Sequence, residues 1–427
     1  MQVSQKTKRI SSLSKFQKKQ PARIRMSSLC LLGLIVFSTA VWAGAIKVKW
    51  NANSEPDLAG YRVHVGEASG VYTSTIDVGD TTEYVITGAE YGKSYYVGVS
   101  AYDESGNESE LSAEVSITLQ APGIRAVFSA QGLRLSWQRV AGADSYEIFR
   151  DADPYFTADQ PFVLTPDTTF LDDAFVPAPD AGVYYQVVAL RNGATIFTFS
   201  RIGGYTVHLD KGVNLVSLPL IPDSAGVNHV LGDQLTGGSS KASSDYVMTF
   251  KDANQTESAW KVEGTGSPLD GKWVSEDGST LSTLSLLPDQ AFWLYRRGSH
   301  VDSLFTVTGL VSSDSNRVLT LKPGINYIGT CYPTVVALSN SALNRDGVLR
   351  GGSSSGQSDK VFVYHPTGYE FAWLVSGTHT SWDGQFMNES GTRVSPISLK
   401  PGQGYIVWMK NAAAPVVWNY PNPMYNN

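Results

Sequence analysis

Residues 46–66 read IKVKWNANSEPDLAGYRVHVG. Ile46, Val48 and Trp50 alternate with lysines, as a strand with one buried face requires. After a turn-rich gap, Tyr61, Val63 and Val65 take up the same alternation. A third run, YYVGVSAYDESGNES from Tyr95, puts Tyr95, Val97, Val99 and Ala101 on one face. Short alternating strands with turn signals between them predict an antiparallel β-sandwich.

These residues resemble a fibronectin type III domain of the kind found in secreted bacterial proteins. Trp50, the DLAGYRV strand from Asp57, Tyr95 at the tyrosine-corner position and the AYDESGNES exit loop carry the likeness over about residues 44–119. Ala89 departs from it, standing where the family has a larger apolar residue. A second copy is expected over about 122–206, where LRLSWQRVAGADSYEIFRD repeats the pattern through Leu133, Leu135, Trp137, Tyr146 and Ile148. VYYQVVAL supplies its later strand through Tyr185, Val187 and Ala189, with Val183, or on a shifted register Tyr184, at the corner position. The resemblance implies spacer, adhesion or binding modules without a catalytic site. Glu55, Asp57, Asp103 and Glu104 are loop carboxylates of the type that hold Ca²⁺. They lack a D-x-D-x-D-G loop and read better as solvated turn residues.

The second half of the chain is a tandem duplication. LDKGVNLVSLPL from Leu209 returns as LKPGINYIGTCYP from Leu321, and GGSSKASSDYVMTF from Gly237 returns as GGSSSGQSDKVFVY from Gly351. DGKW from Asp270 is matched by DGQF from Asp383, LLPDQAFWLY from Leu286 by LKPGQGYIVW from Leu399, and Trp260 by Trp373. The offset stays at 112 to 114 residues throughout. Apolar strands separated by Gly, Pro, Asn and Asp predict two similar β-modules, about 207–312 and 317–418, and then a tail over 419–427. They resemble modules found near sandwich domains in secreted bacterial proteins, a likeness that implies no particular activity. The fold class expected is all-β: two fibronectin type III-like sandwiches followed by two duplicated small β-domains.

The N-terminus is a separate object. Residues 1–25 hold eight Lys/Arg and no acid, and the apolar run Leu29 to Ala43 ends in small residues. That is the pattern of a secretory signal over 1–43, with Val41 and Ala43 at the −3 and −1 positions of cleavage. An uncleaved anchor is the alternative, although the run is short for a membrane span. Without the leader the chain keeps 25 basic and 39 acidic residues, a net charge of −14. Such a balance disfavours nucleic acid and anionic membrane surfaces as partners. Cys30 lies in the leader, so Cys331 is alone in the mature chain and no internal disulfide can form. Its setting, YIGTCYP, predicts a buried strand position.

GSSSG, Gly352 to Gly356, matches the G-x-S-x-G spacing of a nucleophile elbow, which requires strand, turn and helix in that order. The first copy reads GSSKA at the same place, and DKVFVYHP after the motif alternates like a strand, so Ser354 is not read as a nucleophile. The histidines, at 64, 208, 229, 300, 365 and 379, show no zinc spacing. No cofactor is expected.

The aromatics are the suggestive feature, because Trp and Tyr faces stack on sugar rings. Trp293, Trp408 and the matched pair Trp260/Trp373 are expected in the module cores. Trp273 and Trp382, beside polar turns, are expected to be exposed. With Asp270 and Asp383 they form the candidate ligand-binding set. The sequence thus points to a secreted or surface-exposed, non-enzymatic protein that binds an extracellular glycan or protein ligand. The rival readings are a polysaccharide-acting enzyme and a structural subunit of a surface layer or fibre.

Overall fold

The computed structural model of the chain describes residues 45–425, apart from 90, 92, 251–254, 298–301, 346 and 411. The leader with Ala43, and His300, lie outside the described residues. The chain divides into two compact units. One contains the residues up to Gly123 with 138–144 and 189–197, and the other contains the remainder.

In the first unit, the strands are β1 (Ala45–Lys49), β2 (Leu58–Gly66), β3 (Ser74–Gly79), β4 (Glu83–Thr87), β5 (Ser94–Asp103) and β6 (Val115–Thr118). β1 pairs with β4, and the others form a sheet in the order β3-β2-β5-β6. The alternating apolar residues all turn inward: Tyr61, Val63, Val99 and Ala101 are fully buried, and Ala89 and Tyr95 join the same core. Trp50 packs on Tyr61 with ring centroids 5.5 Å apart. Asp103 is not the solvated carboxylate expected. It is buried, and its oxygens accept from the Ser105 and Asn107 backbone N–H groups at 2.9 and 2.8 Å and from the Asn107 side chain at 2.8 Å. A short acceptor at the head of a tight loop satisfies amides that the strand has just released.

The second sandwich is built from β7 (Ile124–Ser129), β8 (Gly132–Trp137), β9 (Ser145–Asp151), β10 (Val163–Thr165), β11 (Thr169–Asp172), β12 (Ala181–Arg191), β13 (Ala194–Thr198) and β14 (Ile202–Asp210). β11-β8-β7 form one sheet. Trp137 packs on Tyr146 at 5.3 Å, the counterpart of the Trp50–Tyr61 pair. Asp172, 2% exposed, accepts from Arg150 at 2.7 Å and from the Tyr185 hydroxyl.

The first repeat copy contributes β15 (Gly212–Ser217), β16 (Tyr246–Phe250), β17 (Thr256–Lys261), β18 (Trp273–Ser275), β19 (Ala291–Arg296) and β20 (Asp302–Leu310). β14 serves both parts. Residues 202–206 pair with 185–181 of β12 on one edge, and the whole strand pairs with β20 on the other. One sheet therefore runs β10-β9-β12-β14-β20, and position 206, the expected end of the sandwich, falls inside a continuous strand.

The second copy comprises β21 (Asn316–Leu321), β22 (Gly324–Ile328), β23 (Val336–Ala337), β24 (Lys360–His365), β25 (Gly368–Leu374), β26 (Phe386–Asn388), β27 (Ser398–Leu399), β28 (Tyr405–Met409) and β29 (Val416–Pro421). Its main sheet, β22-β28-β24-β25-β26, repeats the order β15-β19-β16-β17-β18 of the first. The duplication extends to single hydrogen bonds. Asn214 Oδ1 accepts from Asp210 N at 2.8 Å across a turn at Gly212 (φ 93°), and Asn326 Oδ1 accepts from Lys322 N at 2.7 Å across Gly324 (φ 91°). A side chain at either glycine would meet the left-handed backbone penalty.

The two copies meet about a pseudo-twofold axis. Ser217 N donates to Gly402 O at 2.9 Å and Gly329 N to Asp289 O at 3.0 Å, and each bond is the repeat equivalent of the other. This is the self-complementary logic of a twofold dimer, written within one chain. The symmetry breaks at Gly404, the equivalent of Ala291, because a Cβ there would fall 2.6 Å from the Ala291 Cβ.

Candidate functional site

Asp270 and Asp383 occupy equivalent loops of the separate copies, and both are engaged by their own loops. Asp270 accepts from Thr265 N, Gly266 N and the Thr265 hydroxyl, the last at 2.5 Å. Asp383 accepts from Thr378 N at 3.0 Å, the Thr378 hydroxyl at 2.5 Å and His379 N at 3.1 Å. The threonine hydroxyl bonds, more than any other contact, hold both carboxyls below the usual aspartate range. The arrangement ties each Asp to a residue five positions earlier and closes the loop.

Trp273 is not exposed. It is 0% exposed, and its indole Nε1 donates to Gly232 O at 3.0 Å. The residue opens β18, so its side chain points to the inner face although the turn before it is polar. Its repeat equivalent, Phe386, is likewise buried. Trp382 is 42% exposed, next to Asp383. Trp260 and Trp373 are buried, whereas Trp293 and Trp408 are only half-buried. Their inward neighbours are Leu294 and Val407, both 0% exposed, which puts the two tryptophans on the opposite, outer faces. Cys331 is buried as expected, but in a bend rather than a strand. Burial pushes its thiol far up, which suits an inert thiol.

The side chains that sequence reasoning missed are on the outer face of the second copy. Phe362 lies within 5.3 Å of Phe371, 6.5 Å of Trp408 and 6.4 Å of Tyr369, measured between ring centroids. Lys360 reaches over Phe371 at 4.5 Å and over Trp408 at 5.6 Å, fixing the rings by cation–π attraction. Tyr369 is 53% and Ile325 58% exposed at the margins. The first copy carries Met248, Ser258 and Thr256 at the registers of Phe362, Phe371 and Tyr369. There, Lys241 donates to Ser258 Oγ and to Glu276, both at 2.9 Å. The signal was present in KVFVYH and GYEFAW, which are apolar on both faces where a one-sided sheet would alternate with polar residues.

At the G-x-S-x-G site the chain turns, with Gln357 N donating to Ser354 O at 3.0 Å, and then enters strand β24. Strand–turn–helix geometry is not what this segment forms. Among the described residues no group of His, Cys, Asp or Glu is arranged to hold a metal, and no helix is long and apolar enough to cross a membrane.

No curated protein matches the chain. The structure of the chicken CNTN1 FN1–FN3 domains aligns at 12% identity over 64% of this chain and 96% of that one, with a TM-score of 0.21. The central fibronectin-III array of RIM-binding protein aligns at 15% identity over 52% of this chain and 90% of that one, with a TM-score of 0.17. Residues 34–118 match the fibronectin type III domain family, and the first sandwich is a domain of that family.

Proposed function

We propose that the chain is an extracellular, non-enzymatic binding or adhesion protein that contacts a glycan through the outer sheet face of its second repeat copy. Fibronectin type III domains commonly serve in binding, adhesion and scaffold proteins, which suits a supporting role for the sandwiches. The carrying observation is the aromatic face itself: Phe362, Phe371, Trp408 and Tyr369 on one sheet, where the first copy has smaller or polar residues. Ring faces held on a rigid sheet lose little entropy on binding and suit the C–H faces of pyranoses. Trp382 is a second exposed aromatic of this copy; Trp273 and the two loop aspartates do not belong to the contact surface in this reading. The basic, then apolar, leader of residues 1–43 supports export.

The test is a glycan-array screen of the full mature chain beside the double variant Phe362→Met/Phe371→Ser, which installs the residues of the first copy. Binding reduced about tenfold or more in the variant is expected. Equal binding by both chains would remove this face from the function, and wild-type silence on all glycans would remove the glycan.

One observation favours assembly as a second reading. Thr206 and Thr306 of the β14–β20 ribbon are buried, joined by a 3.0 Å hydroxyl contact. The equivalent ribbon of the second copy, β21–β29, leaves Val318 63% and Val417 52% exposed. Concentration-dependent sedimentation that Val318→Lys abolishes would support that reading.

A further inference from the structure

The pseudo-twofold axis generates two equivalent positions between the copies, and they are filled differently. At one, Tyr327 stacks on Phe250 with ring centroids 4.3 Å apart and planes 7° from parallel. At the other, the equivalent of Phe250 is Tyr364, but the equivalent of Tyr327 is Leu215. A leucine does not supply a second ring. A cleft of about 370 Å³ opens there, lined by Tyr364, Leu215 and Val213. Tyr364 is held in place by a perpendicular contact with Trp293, centroids 5.1 Å apart, and by Tyr369 at 5.3 Å.

We propose that this cleft is a saccharide subsite that takes one sugar ring face-on against Tyr364. It is a concave site that adjoins the open face of Phe371 and Trp408 and shares Tyr369 with it, but it stands on a different observation. The chain itself shows that a ring fits this position, because Tyr327 occupies the twin. The rim decides which ring. Asp210 and Asp180 bring carboxylates, Lys400 an ammonium, and His208 and His365 imidazoles. An anionic ligand would face the two carboxylates, and a cationic one would face Lys400. A phenyl ring has no edge groups for any of them. A neutral polyhydroxylated ring both donates and accepts around its whole edge while offering an apolar face to the tyrosine. The volume lies at the lower end of the range for small-ligand sites, which suits one or two sugar residues.

The test is saturation-transfer NMR of the full chain with methyl glycosides of glucose, galactose, mannose and N-acetylglucosamine, and with N-acetyltyrosinamide as the competing ring. The decisive variant is Leu215→Tyr, which builds in the residue found at the twin position and fills the slot. Tyr364→Leu, at a half-buried site, removes the platform instead. At least one glycoside is expected to bind the wild-type chain, with affinity reduced about tenfold or more in each folded variant. Absence of any glycoside signal, retention of the signal in either folded variant, or binding of N-acetyltyrosinamide alone would overturn the assignment. Leu215→Tyr alters neither Phe371 nor Trp408, so this site and the open face can fail separately.

Discussion

Trp273 and Trp382 stand beside the same kind of polar turn, and the fold uses them in opposite ways. Trp273 starts a strand and points into the first module, and Trp382 stays in the loop of the second. Trp273→Ala is expected to cost about 3–5 kcal/mol, because a large cavity and an orphaned Gly232 carbonyl remain. Trp382→Ala is expected to fall within about 0.5 kcal/mol of the parent chain. Urea unfolding followed by fluorescence distinguishes them, and equal losses would contradict the burial difference. Neither outcome was legible from the residues beside them. Local polarity describes the turn, but the parity of the strand sets the direction of the next side chain. The same parity rule separates half-buried Trp293 and Trp408 from fully buried Leu294 and Val407.

The repeat elements are copies, yet the places where they touch the axis cannot be identical. Two methyl groups at positions 291 and 404 would overlap, so one must be absent, and Gly404 is that residue. Gly404→Ala is expected to destabilise by about 1–3 kcal/mol through overpacking, although alanine is the residue of the other copy. The reverse change, Ala291→Gly, should cost less, and a thermal-melt comparison of the two checks the asymmetry. Elsewhere the copies differ without steric compulsion. Asp245 is buried against Arg296 at 3.1 Å, whereas Met409 holds the position of that arginine in the second copy. Asp289, at a positive φ of 69°, takes two or more hydrogen bonds from Arg317, and its equivalent is Gly402 at φ 78°. The shared backbone shape demanded the turn, and the ion pair was fitted to it in one copy only.

Taken as a whole, the second unit is joined by β14, which is the last strand of a sandwich and the first strand of a repeat. Cutting after Thr206 would leave residues 202–206 paired with β12 but without residues 306–310 of β20, which cover their other edge, and would leave β20 only residues 207–210 as partners. A chain comprising residues 122–206 is expected not to fold, whereas one comprising 122–312 should show cooperative unfolding. Circular dichroism on the two fragments settles the point, and an independently folded 122–206 would refute the shared-strand architecture. The leader-like residues apart, the same reasoning makes the first sandwich the natural candidate for independent folding, since its core residues run from Ile46 to Leu119.

Alternation in residues 46–66 and in the matching strands determined the sandwiches, because a period of two admits only one buried face. The offset of 112 to 114 determined the duplication and the common strand order. Turn signals such as DKG and KPG placed the hairpins, since the bonds that close them are made within a few residues. Tertiary structure alone decided how the copies face each other, that one strand serves two modules, and that Leu215 leaves open a position which Tyr327 fills in its twin. Those features depend on which distant side chains arrive at the same point in space. No local pattern of hydrophobicity, charge or turn chemistry encodes that meeting.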